Sequence, residues 1–434
     1  MDLEEALSEL KVIVETVQKQ EEWRGRSTLN LIASENKMSP LARALLPSDF
    51  NHRYAEGEPY DREYQGGGLI DLIEDLCIKL ASRVFNANFV DVRPISGALA
   101  NLAVFFALTK PGDVLLSLSI PAGGHISCGE VGAAGCRGLK VYSIPFNHED
   151  MNIDLEALAS VVEKAKPNLI TLGASLILFP HPVKEVRKIA EPYGTLIHYD
   201  AAHVLGLVAG GVFQNPLKEG ADVVSSSTHK TFPGPQGGML LANDETLFRK
   251  VKKAVFPGLV SNHHLARLPS LAVTLLEMLL YGKEYATQIV RNAKTLAKAL
   301  HDYGINVLGA HRGFTESHQV VFEASKLGGG GEAARRLEEA DIIVNRNLLP
   351  WDAVGKVHNP SGVRIGTQEV TRMGMKEREM ETIAELMWRL LIKREEPERI
   401  KEEVHKLLAD FNTVRYCIDG QDFVKGVLKA FFER

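Results

Sequence analysis

The chain has 434 residues, 45% of them hydrophobic and 24% charged, which suits a globular protein of two or three domains with a sizeable core. A net charge of -5 gives no basic surface for nucleic acid and no polybasic patch for an acidic membrane. Cys77, Cys128, Cys136 and Cys417 have no C-x-x-C spacing, which argues against a zinc site or a disulfide framework; no metal is expected. The acidic start Met1-Asp2-Leu3-Glu4-Glu5 lacks a signal-peptide pattern, and no apolar run is long enough to span a bilayer, so a cytoplasmic protein is expected.

In chain order, residues 3–22 place Leu3, Leu7, Leu10, Val14 and Val17 on one helical face. The segment reads equally as an arm laid on another surface or as a core helix. Residues 27–68 are irregular and rich in Asn, Tyr, Glu and Gly, and so long a stretch of this kind is often functional. From 70 to 245 the pattern alternates. Helices are expected at 70–84, 98–109, 155–165 and 183–191. Strands are expected at 89–93, 114–118, 139–144, 168–172, 195–199, 221–226 and 238–242. This alternation predicts an α/β fold with a mostly parallel sheet covered on both faces. A long helical region follows at 265–303, and then a smaller α+β domain whose helices end near 408. Gly328 to Gly331 is read as a loop with no phosphate role, because no strand-then-helix frame is evident around it. The expected division is 1–68 for the arm and active-site loop segment, 69–290 for the large domain and 291–434 for the small one.

Ligands in such sheets bind beyond the carboxyl ends of the strands, and several polar residues fall there. Ser96-Gly97-Ala98 joins a strand to a helix, whose free N–H groups suit a phosphate; simple N-capping by Ser96 is the plainer alternative. Asp200 ends the run Leu196-Ile197-His198-Tyr199, where it could hold a pyridine nitrogen protonated or cap a turn. Lys230, in Ser227-Thr228-His229-Lys230-Thr231, could form an imine if desolvated, or be a surface lysine. Asp200 lies thirty residues before Lys230, one strand-helix-strand step, and the two with the upstream Ser-Gly point to pyridoxal-5′-phosphate (PLP). His125, after Gly123-Gly124, could stack on the ring or be structural. Arg364 offers a planar fork for a carboxylate, or pairs with a local acid. Glu56 could act as acid or base, or be an ordinary loop carboxylate.

Six segments, taken in order, resemble the serine hydroxymethyltransferase family, in its archaeal branch. They are Leu31-Ile32-Ala33-Ser34-Glu35-Asn36, Tyr54-Ala55-Glu56-Gly57, Gly123-Gly124-His125, Asp200-Ala201-Ala202-His203-Val204, Thr228-His229-Lys230-Thr231 and Gly362-Val363-Arg364-Ile365-Gly366-Thr367. The resemblance implies a fold-type I PLP-dependent transferase, related in architecture to aspartate aminotransferase. It implies that Lys230 forms the internal aldimine, Asp200 binds the pyridine nitrogen and His125 stacks on the ring. His203 and Ser175 would lie near the phenolic oxygen, and Ser96, Gly97, backbone around Ala98 and His229 would hold the phosphate. Arg364 and Ser34 would bind the substrate carboxylate, while Glu56, Tyr54 and Tyr64 would come from the second subunit of a homodimer. The implied reaction converts L-serine and a tetrahydropterin to glycine and the methylene carrier, with a pterin-independent aldolase or transaldolase as the alternative. Ala98, Cys128, Glu63, Gln236 and the Ser261-Asn262 loop depart from the family pattern. Glu63 lies where a folate tail would pack, so the carrier stays open between tetrahydrofolate and tetrahydromethanopterin.

Overall fold

The fold is described from a computed structural model covering residues 1–432; Glu433 and Arg434, the end of the expected small domain, lie outside the described residues. Helix α1 (Leu3–Glu22) starts on an Asp2 N-cap and buries none of its residues. Its end is anchored where Trp23 Nε1 donates to Asp341 Oδ1 at 3.0 Å. Short β1 (Leu29–Asn30) follows. Then come α2 (Gly68–Phe85), β2 (Phe89–Asp91), α3 (Gly97–Leu108), β3 (Val114–Ser117), β4 (Lys140–Ser143), α4 (Leu155–Ala165), β5 (Leu169–Leu172), α5 (Val183–Ala190), β6 (Leu196–Asp200), β7 (Val223–Ser227) and β8 (Gly238–Ala242).

The seven strands β2 to β8 form one sheet in the order β2-β8-β7-β6-β5-β3-β4. Strand β8 alone runs against its neighbours; the pairings β7-β6, β6-β5, β5-β3 and β3-β4 are parallel. Strands β5, β7 and β8 are buried at every position, as a sheet covered on both faces requires. One apolar core includes Leu80, Phe85, Ile170, Leu172, Tyr199, Phe232 and Leu275. The other face packs Phe105, Leu115, Leu169, Val223 and Leu240.

Helix α6 (Arg267–Asp302) is long enough to serve two cores. Leu268 to Ile289 join the first, and Ala293 to Leu300 join another with Leu29, Phe322, Ile365 and Met387. The expected boundary at 290 therefore falls inside one continuous helix. Beyond it, β9 (Asn306–Val307), β10 (Gln319–Glu323), α7 (Gly330–Glu339), β11 (Ile342–Ile343), β12 (Asn345–Asn347) and β13 (Gly362–Gly366) follow. The order β9-β10-β13-β12 makes an antiparallel sheet, and β11 pairs in parallel with β1. The N-terminal segment is thereby tied to the C-terminal part of the chain. Helices α8 (Glu377–Leu391), α9 (Pro397–Ala409) and α10 (Gln421–Phe432) complete the fold, so helical structure runs past 408.

The glycine run differs from expectation. Strand β10 precedes it and α7 begins at Gly330, so a strand-then-helix frame is present. Asn359 fills the turn, accepting from Gly331 N at 3.1 Å and donating to Gly328 O at 3.1 Å. Among the described residues no helix is long and apolar enough to cross a membrane.

Candidate active site

Asp200 ends β6, Lys230 follows β7, Ser96 follows β2, His125 follows β3 and Ser175 follows β5. All five thus lie beyond the carboxyl ends of strands that point the same way, where an open α/β sheet leaves its crevice.

Lys230 is the focus. Burial pushes its amine down to about 8, while Asp200 raises it and Arg364 lowers it further. A substantial share of the amine is then neutral and nucleophilic near physiological pH. The backbone here is clamped: Asn36 Nδ2 donates to Lys230 O at 2.6 Å, and Thr231 Oγ1 donates to His203 O at 2.8 Å. The segment carrying Ser34 and Asn36 is set by β13, because Gly366 N donates to Leu31 O and a Cβ at Gly366 would lie 2.4 Å from Ala33 Cα.

Asp200 accepts from Asn101 Nδ2 at 2.8 Å and from Ala202 N at 3.0 Å. His125 Nδ1 lies 2.7 Å from Ser127 Oγ, and burial lowers its basicity. His203 is held well below its usual value by burial. Its ring stacks on His318 at 5.8 Å, and its Nδ1 is 3.2 Å from Gln319 Nε2. Gln319 Nε2 also donates to Ser175 O at 2.9 Å, so one amide joins Ser175 and His203.

Arg364 is buried and donates to Asn345 Oδ1 at 3.0 Å and to Ser175 O. No ion pair joins it to a carboxylate among the described residues, which sets aside pairing with a local acid. Burial lowers it to about 10. A desolvated guanidinium of this kind is a receptor for an incoming carboxylate.

The turn at Ser96-Gly97-Ala98 opens α3. Ser96 Oγ accepts from Leu99 N at 3.1 Å, so the N-cap role is present. The turn is also a tight cradle: a Cβ at Gly97 would lie 2.4 Å from Ser227 Oγ, and one at Gly238 2.4 Å from Ser96 O. His229 lies on the next loop, lowered by burial to about 4. Its Nδ1 is buried without a hydrogen-bond partner. An orphaned ring nitrogen and a free helix start on adjacent loops fit a phosphate group, and an acid, a desolvated lysine and a flat ring nearby fit the rest of PLP.

No hydrogen bond or ring contact joins Tyr54, Glu56 or Tyr64 to Lys230 among the described residues. The three form their own cluster of two exposed tyrosines and a half-buried Glu56, with the Tyr54 and Tyr64 rings edge-to-face at 5.2 Å. Ser261 Oγ donates to Glu56 Oε1 and lies 3.2 Å from Tyr54 OH. Asn262 Oδ1 accepts from Ala55 N at 2.9 Å. Beneath them Arg62 bonds Ala55 O and Gly57 O, each at 3.0 Å, and pairs with Asp71 and Glu74 at 2.7 Å. These buried charges give the irregular segment one position. Gly57 has a φ of +98°, with Asp61 O only 2.5 Å from where a Cβ would stand, so this turn requires glycine. Glu63 and Gln236 are exposed, whereas Cys128 is buried and its thiol is pushed up by that burial.

Sequence reasoning missed Asn101, Ser127, Ser225, Gln319 and Arg62. Asn101 carried a signal, a lone amide in the apolar run Leu99-Ala100-Asn101-Leu102-Ala103. No group of three or more His, Cys, Asp or Glu residues that could hold a metal ion occurs among the described residues.

Comparison with known proteins agrees with this geometry. The family model described as serine hydroxymethyltransferase matches residues 7–387. A serine hydroxymethyltransferase of Methanocella arvoryzae is 50% identical over 412 residues, 95% of this chain and 97% of that one. One from Methanocaldococcus jannaschii is 52% identical over 411 residues, 94% of this chain and 95% of that one. Among solved structures, the L-threonine transaldolase from Pseudomonas fluorescens in its internal aldimine state superposes with a TM-score of 0.90 at 30% identity, covering 99% of both chains. With a sheet crevice built around Lys230 and half of its residues shared with these archaeal relatives, the chain belongs to the serine hydroxymethyltransferase family.

Proposed function

We propose that this chain interconverts L-serine and glycine by moving the serine hydroxymethyl carbon to and from a reduced pterin, with PLP held at Lys230. The observation that carries the reading is the neutral-leaning amine of Lys230, set among Asp200, His125 and the unpaired guanidinium of Arg364. When bound, PLP supplies an electron-accepting ring for the electron pair left when the serine Cα–Cβ bond breaks. Asp200 would hold the ring nitrogen and His125 would stack on the ring. Ser175 and His203 would lie near the phenolic oxygen. Ser96, Gly97, the backbone at Ala98 and His229 would hold the phosphate. Arg364 and Ser34 would take the substrate carboxylate.

Glu56 handles protons at the substrate hydroxyl, and it acts with Tyr54 and Tyr64 from the partner subunit of a homodimer. The lack of any hydrogen bond or ring contact between them and Lys230 among the described residues, and the uncovered apolar residues Leu3, Leu7, Leu10, Val14 and Val17 of α1, support this assembly. The site chemistry and the archaeal relatives support action in the cytoplasm, on free amino acids.

The decisive experiment is serine cleavage measured side by side with tetrahydrofolate and tetrahydromethanopterin. Turnover is expected to depend strictly on one of the carriers, and Lys230→Ala is expected to lose both turnover and the visible absorbance of bound PLP. The transaldolase neighbour supports a second reading, exchange of aldehydes on β-hydroxy amino acids without a pterin. Cleavage of threonine-like substrates with no stimulation by either carrier would replace the first reading with the second.

A further inference from the structure

Asn101 is 1% exposed on α3, one turn beyond Ser96-Gly97. Its Nδ2 donates to Asp200 Oδ2 at 2.8 Å and to Ser127 Oγ at 2.9 Å, while its Oδ1 accepts from Ser225 Oγ. The amide has one workable orientation, because a flip would face its oxygen to the Asp200 carboxylate.

From that orientation the other hydrogens follow. Ser225 Oγ spends its proton on Asn101, so it accepts from His198 Nε2 at 2.7 Å. His198 Nδ1 then accepts from Thr171 Oγ1 at 3.1 Å. On the other side, Ser127 N donates to His125 Nδ1 at 3.2 Å. A backbone N–H only donates, so Nδ1 carries a lone pair. Ser127 Oγ, already accepting from Asn101, gives its own proton to the same Nδ1 at 2.7 Å. The proton of a neutral His125 is left on Nε2. A second proton would place Nδ1–H against two donors. Lys230 and Arg364 oppose that charge, and Asp200 favours it.

We infer that Asn101 is a positioning residue at the branch point of a one-way hydrogen-bond relay, which clamps Asp200 and, through Ser127, holds His125 as the neutral Nε2–H tautomer. The relay runs Thr171 to His198 to Ser225 to Asn101, and there divides between Asp200 and Ser127–His125. His125 is therefore a stacking face and a donor, and does not serve as a base. The inference rests on the proposed placement of PLP between Asp200 and His125.

Neutron diffraction from deuterated crystals of the full chain, with and without PLP, reads the relay directly. Deuterium is expected on His125 Nε2 and not Nδ1, with the Ser127 hydroxyl directed at His125 and the Ser225 hydroxyl at Asn101. Deuterium on Nδ1, or a Ser127 hydroxyl directed at Asn101, would overturn the inference. In parallel, PLP titration of cofactor-free protein should show about a tenfold rise in Kd for Asn101→Ala, the loss of one charge-assisted bond, and at least as much for Asn101→Asp. The pH midpoint of the visible absorbance of the loaded protein should move in both, and hold in Leu102→Ala, a neighbour on the same helix. If Asn101→Ala does not fold, Ser225→Ala, which frees the amide, takes its place with the same expected direction. Wild-type PLP affinity and an unmoved midpoint in these variants would also overturn the inference. A wild-type protein that takes up no PLP would instead defeat the cofactor reading, while the deuterium positions in cofactor-free crystals still decide the relay.

Discussion

At the scale of single residues, burial sets the ionisation that chemistry needs. Lys230 loses its proton near pH 8, so capture of PLP by cofactor-free protein should accelerate as pH rises through about 8 and then level off. Stopped-flow absorbance across pH 6 to 10 measures it, and a rate flat through that range would contradict a titrating Lys230 amine. Glu369 shows the opposite sign. It is 6% exposed and borders a cavity of about 1320 Å³ whose wall includes Asn36, and burial pushes its carboxyl up to about 7. Between 4.5 and about 7 the folded chain keeps a proton that the unfolded chain has lost, so this group costs stability as pH rises through that window. Glu369→Gln, whose amide oxygen still accepts from Asn30 Nδ2, should raise stability at pH 8 by on the order of 3 kcal/mol at most and leave it unchanged at pH 4. Chemical denaturation at the two pH values measures the difference. Asp200 was legible in the sequence because it ends an apolar run where an uncompensated charge is costly, Lys230 because it follows a β-type run thirty residues later, and Arg364 because its planar fork suits a carboxylate. Asn101 stood out only as a lone amide in an apolar run and Ser225 not at all; their partners come from other elements, and only folding brings them together.

At the scale of elements, periodicity located most of the large sheet. Helix α4 and strand β8 fall on the expected residues, and the other strands shift by one or two positions. The misses are elements whose cause is not periodic. The glycine run continues into α7 because Asn359 closes the turn from a distant loop. The segment from 54 to 64 has no pattern because buried ion pairs of Arg62, not repeating apolar contacts, fix it. The close approach of α3 to β7 yields a prediction of its own. Gly97→Ala would drive a methyl group to 2.4 Å from Ser227 Oγ and 3.3 Å from Ser227 N, so the Ser227 hydroxyl must swing aside or α3 must retreat. The cost should be about 1–3 kcal/mol in stability, with a larger proportional loss in phosphate affinity. Thermal unfolding and competition between inorganic phosphate and PLP measure the two, and an unchanged phosphate affinity would remove this turn from the phosphate site.

At the scale of the whole molecule, α6 carries one core into the next, and β1 pairs with β11 on the way to Asn36, which bonds the backbone of Lys230. That long-range tie was invisible to a reading that took the segments in order. The cluster of Tyr54, Glu56 and Tyr64 has a consequence for inheritance as well as for chemistry. If each reaction centre draws Lys230 from one copy and Glu56 from another, two broken copies can mend one another. Mixed and refolded together, Lys230→Ala and Glu56→Gln should regain up to about a quarter of wild-type turnover, since random pairing leaves that share of centres intact. Two alleles, each inactive when purified alone, would complement in the same cell, whereas centres confined to single chains would stay silent at every mixing ratio.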